Sequence, residues 1–512
     1  MARHLGKFLA FVRRLPWYRF GAGVVAGGAG LLVTFLMRAI GLGVFVPEVA
    51  VDFVVGRIPG SIESFFISTM GEGAKVLALA TALAVFLVLP GIYAMFYRRV
   101  ERWLKRRMYV LGFYALTSAG IVLGAILPIL GGGFFGSSTS AGAGFATLSQ
   151  LLGYALYAAV LDYFLVDVAA RYPGGFSVSR RQFLVAGASA LAFGALALYG
   201  LTTLVSRTGR LVFRTVEEMF LKEVTPTAEF YTVTKNVIDP TVDAASWRLA
   251  IAGLVSSPRS YTLADLEDLA STEEHVTLEC VSNEIGGNLI STAKWTGVPL
   301  GELLQTAGID PAADWIAFTC ADGYTVAIPR AKAMEPTTLV VVRMNDERLT
   351  TGHGFPARIV VPGVYGMFHA KWVTRVEPAQ GEFRGFWQQK GWTNDGRVHT
   401  TAIIATPPAD SVVGSPVRIG GVAFAGDRGI SEVEVSTDGG TTWQAADVRT
   451  PPLDPRRTWI LWTLDWTPTT SGSHRIVARA VDGDGVSQDP AVASPFPNGA
   501  SGYDSITLLV SR

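Results

Sequence analysis

Apolar runs long enough to cross ~30 Å of hydrocarbon as helices, at about 1.5 Å per residue, recur five times in the N-terminal part of the chain. They lie at roughly 20–42, 74–97, 109–130, 148–168 and 183–205. Backbone groups in lipid must be satisfied internally, so each run is predicted to be a helix. The polar residues between them are unequal. Arg3, Lys7, Arg13, Arg14 and Arg19 precede the first run, Arg98, Arg99, Arg102, Lys105, Arg106 and Arg107 follow the second, and Arg171, Arg180 and Arg181 precede the fifth. The alternate loops carry Glu48, Asp52, Glu63 and Glu72 against Arg57, or, at 131–144, no charge at all. Basic loops stay inside. The N-terminus is therefore expected on the cytoplasmic side of a bacterial cell membrane, with everything beyond residue 205 outside it. Arg207, Arg210 and Arg214 run against that bias and are outnumbered.

Past residue 206 the pattern changes. "WRLAIAGLV" from Trp247 alternates as a strand does, and "TLADLEDLA" from Thr262 has helical spacing with Thr262 as N-cap. "HVTLECVSNEIGGNL" delivers Cys280 from a strand into a loop holding Gly286-Gly287, and the chain leaves through Trp295-Thr296-Gly297 into a helix at Leu300. "ADWIAFTCADGYTVAIP" reads as strand, turn and strand. From about Thr401 the reading is β throughout: Val433 and Val435 alternate with Glu432 and Glu434 before a turn at Asp438-Gly439, and Trp443, Trp459, Trp462 and Trp466 are expected in a sandwich interior or an interface.

Composition adds little beyond this division. The 512 residues are 17% charged with a net charge of +1, which excludes electrostatic attraction to nucleic acid as an organising theme. Two cysteines, Cys280 and Cys320, exclude a disulfide framework and any multi-thiolate cluster. The six histidines all lie outside the apolar runs, so no pair of them can hold a haem within the spans. Arg38, Asp162 and Asp167 sit in or near the runs; intramembrane carboxylates read either as a functional proton or quinone site or as partners within the bundle.

Ser179-Arg180-Arg181-Gln182-Phe183-Leu184 directly precedes the fifth run. It reads either as a topology signal alone or as a twin-arginine signal, the bacterial address for exporting a folded domain. Further on, "HGFPARIVVPGVYGMFHAKWVTRVEP" gathers His353, Arg358, His369 and Lys371 around Gly- and Pro-rich turns. Taken singly, these are surface residues, and Cys280 is an inert buried thiol or half of a disulfide with Cys320. Taken together, one thiolate donor at a glycine-permitted approach and several basic donors suit an anionic cofactor bonded through one sulfur.

The strings "TLECVSN", "KWTGVPLGELL", "HGFPARIVVPGVYGMFHAKWVTRVE", "FWQQKGW" and "GISEVEVSTDGGTTWQAA" resemble, in order, the sulfite oxidase family of molybdopterin enzymes. The resemblance covers residues 226–512. It implies Mo-molybdopterin as cofactor, with Cys280 as the protein ligand to molybdenum. It further implies that His353, Arg358, His369 and Lys371 contact the pterin and its phosphate, together with Tyr231, Lys235, Asn236 and Asp322. Two positions depart from the family. Glu284 and Ile285 stand where sulfite oxidases continue into sulfite-binding arginines, and Trp392 stands where they have a catalytic tyrosine. Asn283, Glu284 and Trp392 are thus candidate substrate-pocket residues, and sulfite is disfavoured. Bacterial relatives that reduce sulfoxides, including oxidised methionine in proteins, offer a second comparison.

The expected architecture is a multi-pass α-helical membrane bundle (1–206), a linker and start of the cofactor domain (207–245), an α+β sulfite-oxidase-like molybdopterin domain (246–400) and an immunoglobulin-like β-sandwich (401–512), the last implied to form a homodimer. Such a cofactor is loaded in the cytoplasm, which requires export of a folded domain and agrees with the "SRRQFL" string. The expected activity is oxygen-atom transfer on a small sulfur or nitrogen oxo compound with an external cytochrome or quinone as electron carrier. The alternative is a non-catalytic binding scaffold that keeps the fold.

Overall fold

Four of the five apolar runs are long helices in the computed structural model, Trp17–Ala39, Ala74–Ala94, Arg107–Ile129 and Gly142–Val168, each long and apolar enough to cross a membrane. The structure describes residues 17–70, 73–139, 141–168, 170, 209–236, 238–449 and 453–511. Arg180, Arg181 and the run at 183–205 lie outside the described residues. The chain divides into two units, Met1–Arg57 with Gly73–Val205 and Ile58–Glu72 with Ser206–Arg512.

In the first unit small residues set the helix spacing. A Cβ on Gly30 would come within 2.8 Å of the Gly153 carbonyl oxygen, and one on Gly153 within 2.9 Å of the Gly30 oxygen. Small residues on facing helices allow backbones this close an approach. The fourth helix takes in residues 142–147, ahead of the run that hydropathy marks out.

The charged residues find partners inside the unit. Arg38 grips Glu48 through two hydrogen bonds of 3.0 and 2.9 Å. Asp162 accepts from the Tyr97 hydroxyl at 2.7 Å and from Arg107 Nε at 2.6 Å, and Arg107 also reaches Asp167 at 2.6 Å. Of the two readings open for these carboxylates, pairing within the bundle is the one the geometry displays. The stretch between the first two spans, which looks like a plain acidic loop in sequence, contains helices Val46–Val55 and Gly60–Met70. Pro47 in the first turn starts the former, where a missing N–H costs nothing.

The second unit carries two sheets around one core. The first orders Arg259–Tyr261, Leu249–Ile251, Val373–Ala379, Trp315–Cys320 and Thr325–Pro329; the second orders Thr272–Glu279, Ile290–Pro299, Leu339–Met344 and Glu347–Arg348, with Arg358–Val360 also pairing on Leu339–Met344. Leu263–Leu269 is a helix whose N-cap Thr262 forms a reciprocal capping box with Asp265, and Leu300–Thr306 is the helix expected after Trp295-Thr296-Gly297. Leu249, Phe318, Val340 and Ile359 from both sheets meet Leu266 and Leu304 in a common buried cluster.

The C-terminal strands form a four-stranded sheet (Thr401–Thr406, Val417–Phe424, Ile460–Trp466, Asp447–Arg449) and a five-stranded sheet (Val412–Val413, Asp504–Val510, Gly472–Asp482, Ile430–Ser436, Gln444–Ala445). Ile419 and Trp462 of one and Val433, Val435, Ile476 and Leu508 of the other share a buried core. The tryptophans divide. Trp462 and Trp466 fill that core, Trp459 belongs to a different cluster with Tyr365 and Trp392, and Trp443 is half-buried at the surface between Arg479 and Tyr503. Of the two expected positions, interior or interface, Trp443 does not take the interior one: its neighbours Asp438, Thr441 and Thr442 build a polar turn. Arg210 is tied at 2.6 Å to Asp504, which is buried, so its charge serves the fold of this unit.

Candidate functional site

The strand Thr272–Glu279 ends one residue before Cys280, and the loop that follows folds back to begin Ile290–Pro299. The Cys280 thiol lines a cavity of about 890 Å³, counting its open mouth. It is not in a disulfide and lies 3.0 Å from the Ser282 hydroxyl. The loop's own polar residues hold its shape. Asn283 donates to the Glu279 carboxylate at 3.0 Å and accepts from Leu289 N–H at 2.9 Å. Burial pushes the Glu279 carboxyl up to about 7. Gly366 crosses the loop so closely that a Cβ there would meet the Tyr231 hydroxyl at 2.5 Å.

Opposite elements bring the basic residues to the same cavity. Gly354, at φ +102°, turns the chain between His353 and Arg358, and a Cβ there would press on Lys371 and Arg358. Arg358 is 4% exposed. Its guanidinium lies 4.9 Å from the Trp295 ring and makes only long hydrogen bonds, 3.3 Å to the His353 carbonyl and 3.5 Å to that of His369. Its Nε has no hydrogen-bond partner among the described residues. Burial alone draws its pKa down to about 10. A buried guanidinium is expensive unless an anion meets it. Lys371 donates to the Gly352 carbonyl at 3.0 Å, and Lys235 to the Asp322 carbonyl at 2.8 Å.

The two histidines contribute differently from the expected cationic role. Burial pushes His353 down to about 4 and His369 to about 3, so both are neutral at ordinary pH. His369 Nδ1 accepts from Val361 N–H at 3.2 Å, and Nε2 is 3.1 Å from the Val364 carbonyl, so both ring nitrogens are engaged with backbone. The positive charge at this end of the cavity comes from Arg358 and Lys371. A folded imidazole held below its usual value near 6.5 resists protonation, whereas the unfolded chain takes the proton. Stability is therefore complete above about 6.5 and falls as pH drops toward 4. Thermal unfolding of the full chain in detergent between pH 7.5 and 4 is expected to show that decline, with a shallower slope in His353→Gln.

Of the residues singled out in the sequence, Tyr231, Lys235, Cys280, Asp322, His353, Arg358, His369, Lys371 and Trp392 all line the one cavity. Asn236 stands behind it, donating to Asp322 at 3.0 Å. Asn283 and Glu284 do not line it. Asn283 is consumed in shaping the loop, and Glu284 is exposed to solvent. Sequence reasoning missed Ser282, Tyr324 and Trp387, which also line the cavity. Ser282 was open to detection as the first hydroxyl after Cys280, whereas Tyr324, whose hydroxyl donates to the Met367 carbonyl at 2.6 Å, carried no sequence signal.

Residues 236–387 match the family described as the oxidoreductase molybdopterin binding domain, and residues 394–494 match the Mo-co oxidoreductase dimerisation domain. The mitochondrial sulfite oxidase of Macaca fascicularis is 33% identical over 324 residues, 54% of this chain and 59% of that protein. Residues 236–494 belong to the sulfite oxidase family of molybdopterin oxidoreductases. An NADH nitrate reductase of Volvox carteri is 30% identical over 303 residues, covering 47% of this chain and 35% of that enzyme. Among solved structures, the sulfane dehydrogenase SoxCD from Paracoccus pantotrophus covers 56% of this chain and 80% of its own with 26% identity and a TM-score of 0.49. The chain thus spans about three fifths of the sulfite oxidase it matches.

The cofactor of this family is Mo-molybdopterin, and the residues present fit it. A cavity-lining thiol offers the soft donor for molybdenum. Arg358, with its buried and unsatisfied Nε, offers charge and N–H groups to a phosphate. No cluster of three or more His, Cys, Asp or Glu side chains able to hold a metal occurs among the described residues.

Proposed function

We propose that this chain is a membrane-anchored molybdopterin oxidoreductase that moves an oxygen atom between water and a small sulfur or nitrogen oxo compound outside the cytoplasmic membrane of a bacterium. The observation that carries the reading is the pairing, in one cavity, of the Cys280 thiol with the buried guanidinium of Arg358, whose Nε has no hydrogen-bond partner among the described residues. When bound, the cofactor supplies oxygen-atom relay and two-electron redox chemistry. Cys280 anchors it through sulfur, Arg358 and Lys371 neutralise its phosphate, and Trp387 and Trp392 exclude water from one side. A separate cytochrome or quinone gives or takes the two electrons.

The departures at Glu284 and Trp392 narrow the substrate. Glu284 is exposed and away from the cavity, and Trp392 brings an aromatic ring with a neutral N–H in place of a phenol. Such a wall suits an uncharged sulfoxide or N-oxide better than an anion, which needs a further cation to replace its hydration. Assayed on sulfoxides, N-oxides, nitrate and sulfite with artificial electron carriers, the full chain is expected to favour a neutral oxo compound over sulfite by roughly tenfold or more in kcat/KM. Fastest turnover of sulfite would overturn the pocket reading, and no turnover of any compound would overturn the enzymatic one.

Topology is supported by connectivity. Residues 58–72 and 206–512 cluster in one unit, which in this reading asks for an even number of membrane crossings between them. Three long apolar helices fall in that interval. The run read from the sequence at 183–205 supplies the fourth, and Arg180-Arg181 before it fits a twin-arginine signal for a domain loaded before export. The C-terminal sheets are read as an immunoglobulin-like sandwich that pairs two copies of the chain.

A further inference from the structure

Residues 58–72 lie between the first two apolar helices in sequence, yet they belong to the unit that carries the cavity. The helix Gly60–Met70 opens directly against the 383–392 loop. A Cβ on Gly60 would meet the Lys390 carbonyl oxygen at 2.7 Å, the Phe496 ring at 2.8 Å and the Trp392 indole nitrogen at 3.1 Å, so only glycine allows this approach. One turn on, the Glu63 carboxylate takes Lys390 Nζ at 3.3 Å. The two side chains are only 9% and 8% exposed. Lys390 Nζ also lies 4.4 Å from the Phe386 ring and 4.9 Å from that of Trp387.

The consequence is a chain of contacts from Gly60 and Glu63 to the cavity wall. Trp387 and Trp392 line the cavity with Cys280. Trp392 is pinned edge-on by Phe496 at 5.2 Å, and its indole nitrogen is buried without a hydrogen-bond partner among the described residues. An ion pair shielded from water fixes geometry more firmly than an exposed one. It also cancels the one positive charge of the 383–392 loop that is buried among these aromatic rings.

We propose that Gly60 and Glu63 are positioning residues for the substrate wall: they hold the 383–392 loop so that Trp387 and Trp392 shape the entrance, and they keep Lys390 neutralised so that the entrance admits small uncharged oxo compounds. The proposal rests on the reading that this cavity holds the cofactor. It assigns part of the specificity of the site to a segment that lies between two apolar helices in sequence but belongs to the cavity's own unit.

The test uses the full-chain enzyme carrying Gly60→Val, Glu63→Lys, or Glu63→Lys with Lys390→Glu. Dimethyl sulfoxide and sulfite are the kinetic probes, and Mo(V) electron paramagnetic resonance is the spectroscopic one. Hydrogen exchange of the peptide spanning 384–392 reads docking. The single variants are expected to speed that exchange, shift the Mo(V) signal, and raise KM for dimethyl sulfoxide by roughly 10- to 100-fold with molybdenum content unchanged. The charge-swapped double variant is expected to restore all three. Unchanged exchange in both single variants would show that the segment does not hold the loop. Faster exchange with parental KM and Mo(V) signal on loaded enzyme would show that it holds the loop without shaping the site. A parent chain devoid of molybdenum would overturn the cofactor reading instead, and with it the specificity role, while exchange would still decide the docking.

Discussion

Full-chain Arg358→Gln, purified and dialysed, is expected to retain a small fraction of the parent's molybdopterin. The guanidinium is 4% exposed, its Nε has no partner among the described residues, and its two hydrogen bonds are long, so the fold supplies the charge without satisfying it. Removing one member of a buried, hydrogen-bonded charge pair costs about 2–5 kcal/mol, which is roughly a 30-fold or greater loss of affinity. Glutamine keeps much of the volume and some hydrogen bonding but no charge, so the loss reports on the anion. Arg418→Gln, which alters a 53% exposed arginine in the C-terminal sheets, is the control and should load as the parent does. Fluorescence of the oxidised pterin released from each protein gives the occupancy. Equal occupancy in Arg358→Gln and parent would mean that the cavity binds its anion elsewhere.

Cys280→Ser is expected to abolish turnover by a wider margin than it lowers cofactor content. Changing a group behind a metal ligand costs about 10- to 100-fold, and removing the ligand itself exceeds that range. Serine is nearly isosteric and the thiol is buried in a loop held by Asn283 and Leu289, so the fold should persist. The informative comparison is Cys320→Ser. Cys320 is a free buried thiol packed in the main hydrophobic cluster, and burial raises its pKa well above the ordinary thiol value. It should cost stability and leave turnover per molybdenum unchanged. Activity surviving in Cys280→Ser would remove the basis for the ligand assignment.

Much of this site was legible because its chemistry is local in sequence. Cys280 stands at a strand end before glycines, and His353 to Lys371 fall within one stretch, so the residue types that serve an anionic sulfur-bound group could be recognised before any geometry was known. What was not legible depends on partners set by the fold. That His369 spends both ring nitrogens on the backbone follows from where Val361 and Val364 turn, and no residue type announces it. Asn283 and Glu284 sit beside Cys280 in sequence, but the loop turns the first into a brace and the second toward solvent. The helical content of the first inter-span loop was hidden by its acidic residues, which read as solvent-facing until Glu48 is seen against Arg38. Lys390 and Glu63 are 327 positions apart, and neither residue suggests the other.

The central claim is a molybdenum–sulfur bond at Cys280, and X-ray absorption at the molybdenum edge measures it most directly. The parent chain is predicted to contain about one molybdenum, with one sulfur neighbour more than Cys280→Ser has at matched loading. The same sulfur count in both proteins, or a parent chain without molybdenum, would contradict it.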